Sequence, residues 1–233
     1  EELQYGHRAN ERDIIVQYGV THWSDMYSPR QLLSLTATLE ILLDLRKEIR
    51  EQVELEKADA IIFYLALAFD KCPNYNARFS SWNAPRGVMR SVFDRHDFSF
   101  KWTYGEFDAA GNLIPWAVDQ VTDAYKGVAE LAASSQPTLA SGSSIKRSFN
   151  KLLTITLGSA ADLKDVADEA IDNITVDPPY YNNVNYSELS DFFYVWLKRS
   201  VGELLPEFFR DELSNKDDEA VANPARFHDG RKT

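Results

Sequence analysis

Leucine and isoleucine recur every three or four residues between positions 29 and 53, which is the spacing of one face of an α-helix. Ser28 is suited to cap this helix, Pro29 fits the first helical position, and Gln31 occupies the third position of a capping box. The pattern therefore predicts an amphipathic helix that packs and carries no chemistry. Its apolar positions are Leu32, Leu35, Leu39, Leu42, Leu45, Ile49 and Val53.

The same periodicity predicts three further helices. One covers residues 57–71, is expected to stop at Pro73, and should form an antiparallel pair with the first. Another covers residues 115–133. The last is capped by Asn185 or Ser187. Its apolar side consists of Leu189, Phe192, Phe193, Trp196, Leu197 and Val201.

Two short apolar runs have the character of strands. Residues 171–176 are rich in β-branched side chains and end at the sequence Asp177-Pro178-Pro179-Tyr180, where two prolines stop a strand. Residues 152–157 form a second candidate strand, separated from the first by a short acidic crossover. Because right-handed crossovers place the carboxyl ends of parallel strands at one edge, where α/β folds place their chemistry, we expect a shared functional edge. The prediction is an α/β fold, rich in helix, with a small parallel sheet and an N-terminal helical layer.

The sequence after the candidate strand at 171–176 suits a reaction at an exocyclic amine. Asp177 and the carbonyl of Pro178 can accept hydrogen bonds from an N–H group, and Tyr180 can stack on a flipped base. The two prolines fix the backbone that carries these groups. The alternative is an ordinary strand followed by a proline-rich turn, with Tyr180 in the core.

This segment resembles the catalytic motif of the S-adenosylmethionine-dependent amino-group DNA methyltransferases. Residues 177–199, which include Tyr186-Ser187-Glu188-Leu189-Ser190-Asp191-Phe192-Phe193-Tyr194-Val195-Trp196-Leu197-Lys198-Arg199, are similar to a family of large prokaryotic adenine-specific DNA methylases. A looser likeness covers residues 23–31 and 102–107. The resemblance implies a Rossmann-like domain that methylates adenine N6 in DNA. It also implies catalytic roles for Asp177, Pro178, Pro179 and Tyr180, and a substrate pocket wall made of Tyr181, Asn182, Asn183 and Asn185.

The sequence contains few of the residues that bind the cofactor in such an enzyme. By resemblance, Gly158 ends the preceding strand and Ser159 stands where the family has an acid that binds the adenine of S-adenosylmethionine, with Asp162 as a substitute. The chain has ten glycines and no two of them are two residues apart, so it contains no Gly-x-Gly loop. It also starts without Met. We therefore expect a fragment whose cofactor loop lies in the missing remainder of the parent protein.

Charge and aromatic patterning bear on the substrate. The net charge of −11 argues against general nucleic-acid binding, although residues 134–152 are basic and residues 203–219 hold seven acids. Between residues 74 and 114, aromatic side chains alternate with arginines, which suits stacking and clamping of a nucleic-acid strand. The alternative is an aromatic core with snorkelling arginines. By resemblance, target recognition lies in this region.

Composition sets the remaining expectations. The lone Cys72 excludes an internal disulfide, and the four histidines lack the spacing of metal ligands. No signal pattern or apolar run of about 18 residues is present, so we expect a cytoplasmic protein without a membrane segment. The predicted organisation is a helical region at 1–133, a linker at 134–144, a catalytic-motif part at 145–213 and a flexible charged tail at 214–233.

Three functions stay open from the sequence. The first is DNA adenine methylation. The second is methylation of RNA or of a protein amide, because related motifs act on amide and ring-amine nitrogens alike. The third is a non-catalytic helical interaction module in which Asp177-Pro178-Pro179-Tyr180 is a relic.

Overall fold

The computed structural model describes residues 14–133, 160, 162–164, 166–181 and 183–221. Within these residues there are four α-helices, which are α1 (Pro29–Gln52), α2 (Leu55–Tyr75), α3 (Ile114–Ala133) and α4 (Tyr186–Val201). One antiparallel hairpin joins β1 (Ser81–Asn83) to β2 (Val88–Arg90). Two 3-10 helices, Ile14–Tyr18 and Trp23–Met26, precede α1, and a π-helical turn, Ala109–Leu113, leads into α3.

The chain forms two compact units. One consists of Glu1–Val121 and Pro179–Thr233, and the other of Thr122–Pro178. The first holds α1, α2, the hairpin, α4 and the first turns of α3. The second holds the rest of α3 and, in its described part beyond the helix, turns and irregular segments. The predicted linker at 134–144 lies outside the described residues, so the predicted domain boundaries stay predictions.

The four predicted helices are confirmed, with small shifts at their ends. The Ser28 hydroxyl accepts from the Gln31 N–H at 3.2 Å, and the Gln31 side chain accepts from the Ser28 N–H at 2.9 Å, which completes the capping box of α1. Pro73 does not stop α2 but lies inside its last turn. A proline so close to the helix end removes only one helical hydrogen bond, and the Asn76 N–H still reaches the Cys72 carbonyl at 3.0 Å.

Helices α1, α2 and α4 pack around an aromatic core in the first unit. The indole N–H of Trp196 donates to the hydroxyl of Tyr27 at 2.9 Å, and the Phe192 ring lies against both Tyr27 and Trp23. Arg46 of α1 donates to the Ser200 carbonyl of α4 at 3.1 Å. These two bonds satisfy the Trp196 indole and part of the Arg46 guanidinium within the core.

Residues 214–221 are packed against α4, which differs from the flexible tail predicted from their charge. Lys216 forms a buried ion pair with Asp191, and the Glu219 carboxylate accepts from the backbone N–H and the hydroxyl of Ser187. Val221 is also buried. The charges that suggested a solvated tail are partly used inside the protein. The rest of the predicted tail, residues 222–233, lies outside the described residues.

The predicted parallel sheet is not seen in the part of the chain that the structure describes. Residues 171–178 are irregular and exposed, with 73% of Ile174 and 74% of Val176 accessible to solvent, so the structure does not show the buried strand predicted at 171–176. A β-branched run becomes a strand only when a neighbour accepts its backbone hydrogen bonds and covers its side chains. Residues 152–157, the predicted neighbour, lie outside the described residues.

Candidate functional site

The predicted catalytic segment lies where the two units meet in sequence. Asp177 and Pro178 are the last residues of the unit Thr122–Pro178. Pro179 and Tyr180 are the first residues of the segment Pro179–Thr233, which belongs to the other unit. Asp177 is exposed, and 70% of the Tyr180 side chain is accessible to solvent. The alternative in which Tyr180 belongs to the core is therefore wrong, and both side chains are free of core packing.

The backbone turns sharply directly after this segment. Tyr181 has a φ angle of +37°, in the left-handed region that bulky residues rarely occupy. Its N–H donates to the Pro179 carbonyl at 2.9 Å, and the Asn183 N–H donates to the Tyr180 carbonyl at 2.8 Å. These short-range bonds hold an unfavourable conformation, which is a feature that concentrates at functional sites.

The other predicted substrate residues lie on the short loop between this turn and α4. Tyr181 is 62% exposed and Asn183 is also exposed. Asn185 is partly buried and precedes the first residue of α4, although its side chain makes no capping hydrogen bond. Asn182 lies outside the described residues.

The described residues do not assemble a site for S-adenosylmethionine. Asp162, the predicted substitute for the cofactor-binding acid, is exposed at the surface and pairs with Lys164 at 2.9 Å. Gly158 and Ser159 lie outside the described residues. A carboxylate already paired in solvent is poorly placed to grip a buried ribose or adenine, so the fit to the cofactor is not supported.

A groove lies beside the β-hairpin, within the first unit, in the region where the sequence alternates aromatic side chains with arginines. We call it the hairpin groove, and its volume is about 790 Å³. Four aromatic side chains and two arginines contribute to its lining, namely Tyr75, Trp82, Phe107, Trp116, Arg86 and Arg90. Trp82 pairs with Met89 across the hairpin, which places both side chains on one face.

The aromatic residues between positions 74 and 114 divide into a buried core group and an exposed group. Phe79 and Phe98 are buried, as expected of a core. Trp82 is 59% exposed and Arg86 in the hairpin turn is exposed, as expected of a binding surface. The distinction depends on the hairpin, which no periodic signal in its three-residue strands reveals.

A second, smaller cavity of about 300 Å³ lies between the Trp23–Met26 turn, α1 and α4. Aromatic side chains of Trp23, Tyr27 and Trp196 line it, and Glu40 and Arg199 add charge. Burial raises the pKa of the Tyr27 hydroxyl above its ordinary value, so this group stays neutral. No local sequence pattern indicates this cavity, because its walls come from residues 23–43 and from α4, which are far apart in the chain.

A buried carboxyl group on α2 was also missed. Asp70 is 8% exposed, and its Oδ1 atom has no hydrogen-bond partner among the described residues. Burial raises the pKa of this carboxyl to about 8, and burial likewise raises the pKa of the nearby Cys72 thiol to about 12. Both groups are therefore largely protonated at neutral pH.

No cluster of three or more His, Cys, Asp or Glu side chains that could hold a metal is found among the described residues. The described helices include none that is both long enough and apolar enough to span a bilayer. No known protein family, curated protein or solved structure gives a significant match to this chain.

Proposed function

We propose that this chain is the target-amine-binding part of an S-adenosylmethionine-dependent methyltransferase that acts on adenine N6 in DNA. The observation that carries the proposal is the exposed sequence Asp177-Pro178-Pro179-Tyr180, followed by the strained Tyr181. It joins a hydrogen-bond acceptor, two rigid residues and an accessible aromatic ring, which are the groups that an exocyclic amine on a flat base requires.

In this proposal each group has a separate role. The Asp177 carboxylate and the Pro178 carbonyl accept hydrogen bonds from the two N–H bonds of the amine, which orients the nitrogen lone pair away from them. The Tyr180 ring stacks on the extrahelical base. S-adenosylmethionine, when bound by the protein, would supply an electrophilic methyl group. The chain's own residues hold the nucleophile in line, and such positioning can account for a large share of a rate enhancement.

The residues after the segment would form the wall of the base pocket. Tyr181 and Asn183 are exposed, and Asn185 lies at the start of α4. The left-handed conformation of Tyr181 turns the loop away from an extended path, at an energetic cost of the kind that concentrates at functional sites.

The proposal also includes a Rossmann-like parallel sheet in the catalytically competent protein. Ile171, Ile174 and Val176 are β-branched and exposed, and pairing with neighbouring strands would bury them. Cofactor binding would then come from residues other than the surface pair of Asp162 and Lys164. Slow amide hydrogen exchange at residues 172–176 in the full-length protein would support this part, and fast exchange would contradict it.

Methyl transfer from tritiated S-adenosylmethionine tests the proposed function. The full-length protein is incubated in parallel with duplex DNA, RNA and a protein mixture, and the label is followed into each. We expect incorporation into adenine of DNA. Label in RNA or protein would favour the second candidate substrate class, and absence of label in all three would contradict the methyltransferase assignment.

One observation favours the alternative of an interaction module. Exposed α3 carries apolar side chains among its polar ones, with Tyr125, Val128 and Leu131 being 52%, 60% and 55% accessible to solvent. Apolar patches of this kind mark interaction surfaces in many proteins. An interaction module would show no methyl transfer and would tolerate substitution of Asp177.

A further inference from the structure

The hairpin groove presents a tryptophan on a well-anchored element. Trp82 lies on β1 opposite Met89 of β2, and a side chain at Gly105 would approach the Met89 sulfur within 2.6 Å. The missing side chain at Gly105 thus lets β2 pack closely on this backbone. The Gly105 carbonyl accepts from the Ser80 hydroxyl and from the Gln31 amide, each at 3.3 Å. The residue before β1 and α1 are therefore joined through the Gly105 carbonyl, which anchors the hairpin to α1.

The hairpin turn places a cation beside this ring. Residues 84–87 connect the strands, and Gly87 adopts a left-handed φ of +61° that a glycine tolerates without strain. Arg86 in this turn is exposed and lines the groove, and no described acidic residue forms an ion pair with its guanidinium. Its full charge is available to an anion.

Further cations surround the groove. Arg90 lines it and pairs with Asp94 at 2.7 Å. The ammonium of Lys71 lies 4.9 Å from the ring centre of Trp116, which also lines the groove. Asp94 also lines the groove, so the lining holds two arginines against one carboxylate, an excess of one positive charge in a chain whose net charge is −11. A positive lining in a chain of negative net charge favours an anionic ligand over a cationic one.

The aromatic rings and the arginines of the hairpin groove together indicate which class of anion the groove would bind. A simple phosphate would not use the exposed indole of Trp82, and an apolar ligand would not use Arg86. A nucleotide uses both, because its base has a π-face and its phosphate is an anion. The groove volume of about 790 Å³ lies within the range of sites that enclose ligands of drug size. Stacking on an exposed ring requires an unpaired base, which a regular duplex does not offer.

We propose that the hairpin groove binds single-stranded nucleic acid, with a base stacked on Trp82 and a neighbouring phosphate bound by Arg86. In a DNA-modifying protein this would hold a strand separated from its partner. The inference does not depend on methyl transfer. Its test is a binding measurement without cofactor, so failure of one proposal is distinguishable from failure of the other.

Fluorescence anisotropy of a labelled oligothymidine of about 20 nucleotides, longer than one binding site, tests the proposal on the full-length protein. Oligouridine, thymidine monophosphate and a duplex of the same length serve as competitors. We expect the two oligomers to compete, the monophosphate to compete weakly, and the duplex to compete least. The DNA and RNA arms show whether the sugar is discriminated.

Substitutions in the groove have defined effects. We expect Trp82→Ala to weaken binding about tenfold or more, since one stacked base is lost. Arg86→Gln should weaken binding and reduce the slope of log affinity against log salt concentration by about 0.7, the value for one phosphate contact on a single strand. A thermal melt of each variant checks that the fold is retained.

Two matched substitutions control for loss of a ring or of a charge elsewhere. Trp102 is 81% exposed, Arg210 is also exposed, and neither contributes to the lining of the hairpin groove. Trp102→Ala and Arg210→Gln should change the affinity by less than about twofold if the contacts are local. Absence of binding by the unmodified protein would overturn the proposal. So would equal losses in groove and control variants, or a duplex preference that Trp82→Ala leaves unchanged.

Discussion

The ammonium of Lys216 lies 2.6 Å from the Oδ2 atom of Asp191, and the two side chains expose only 5% and 1% of their surface. The other oxygen of Asp191 accepts from the backbone N–H of Ser214 at 2.8 Å and from its hydroxyl at 2.6 Å. This buried pair fastens residues 214–221 to α4. Removing one partner from such a pair is costly, because the remaining charge stays in a site shielded from water.

The first prediction concerns that pair. Lys216→Met retains the aliphatic stem and removes the charge, so the free energy of unfolding should fall by about 3 kcal/mol or more. Lys164→Met removes a lysine from the exposed pair with Asp162 and should cost no more than about 1 kcal/mol. Urea denaturation of both variants measures the difference. Equal, small losses in the two variants would mean that Lys216 does not hold the segment.

The second prediction concerns the pH dependence of stability. Burial raises the pKa of Asp70 from 3.8 to about 8. Above about pH 4 the unfolded chain releases this proton while the folded protein keeps it, so stability falls as pH rises until the folded pKa is reached. The slope from this group is about 1.4 kcal/mol per pH unit.

Asp70→Asn isolates this contribution, because asparagine has a similar shape and does not titrate. The difference in unfolding free energy between Asp70→Asn and the wild type should grow in favour of the variant between about pH 5 and about pH 7. Asp119→Asn, at an exposed position on α3, is the control and should leave the pH profile unchanged. Parallel profiles for wild type and Asp70→Asn would show that Asp70 ionises normally in the folded protein.

The third prediction uses the backbone of Tyr181. Its φ of +37° is unfavourable for a bulky side chain and tolerable for asparagine. Tyr181→Asn should therefore stabilise the protein by about 1 kcal/mol while weakening a base pocket of which Tyr181 is a wall. Tyr104→Asn alters another exposed tyrosine, one without a positive φ, and should not stabilise. Thermal melts of the two variants and of the wild type measure these effects. A melting temperature of Tyr181→Asn below that of the wild type would contradict the claim that the backbone at Tyr181 is strained.

The fourth prediction concerns the cofactor. The isolated 233-residue chain should bind S-adenosylmethionine weakly or not at all, since it has no Gly-x-Gly loop and Asp162 is engaged with Lys164 at the surface. Isothermal calorimetry measures this directly. Micromolar binding by the isolated chain would mean that another part of the chain forms a cofactor site.

Local signals made the helices predictable. The capping box of Ser28 and Gln31 and the apolar spacing of α1 and α4 depend on neighbours within one or two turns, so the sequence alone indicates them. The hairpin was missed because each strand has three residues, too few for a period to show.

Long-range contacts explain the errors. Lys216 lies among acids, which predicts a solvated tail, and only its packing against α4 shows that it is buried with Asp191. Residues 171–176 have the composition of a strand, but strand formation depends on a neighbour that the segment itself does not specify. The candidate segment from Asp177 to Tyr180 was predictable as a motif, and its exposure was not.

The most direct test of the proposed function is single-turnover methylation of an adenine-containing duplex by the full-length protein and its Asp177→Asn variant. Asparagine retains the shape but places an N–H donor against the N–H bonds of the target amine. We predict a loss of about 3 kcal/mol at the transition state, which is about a hundredfold or more in rate, with little change in cofactor affinity. Tyr180→Phe retains the stacking ring and should be mild, whereas Tyr180→Ala should weaken base capture. Near-normal turnover by Asp177→Asn, with an unchanged melting temperature, would contradict the assignment of this segment to catalysis.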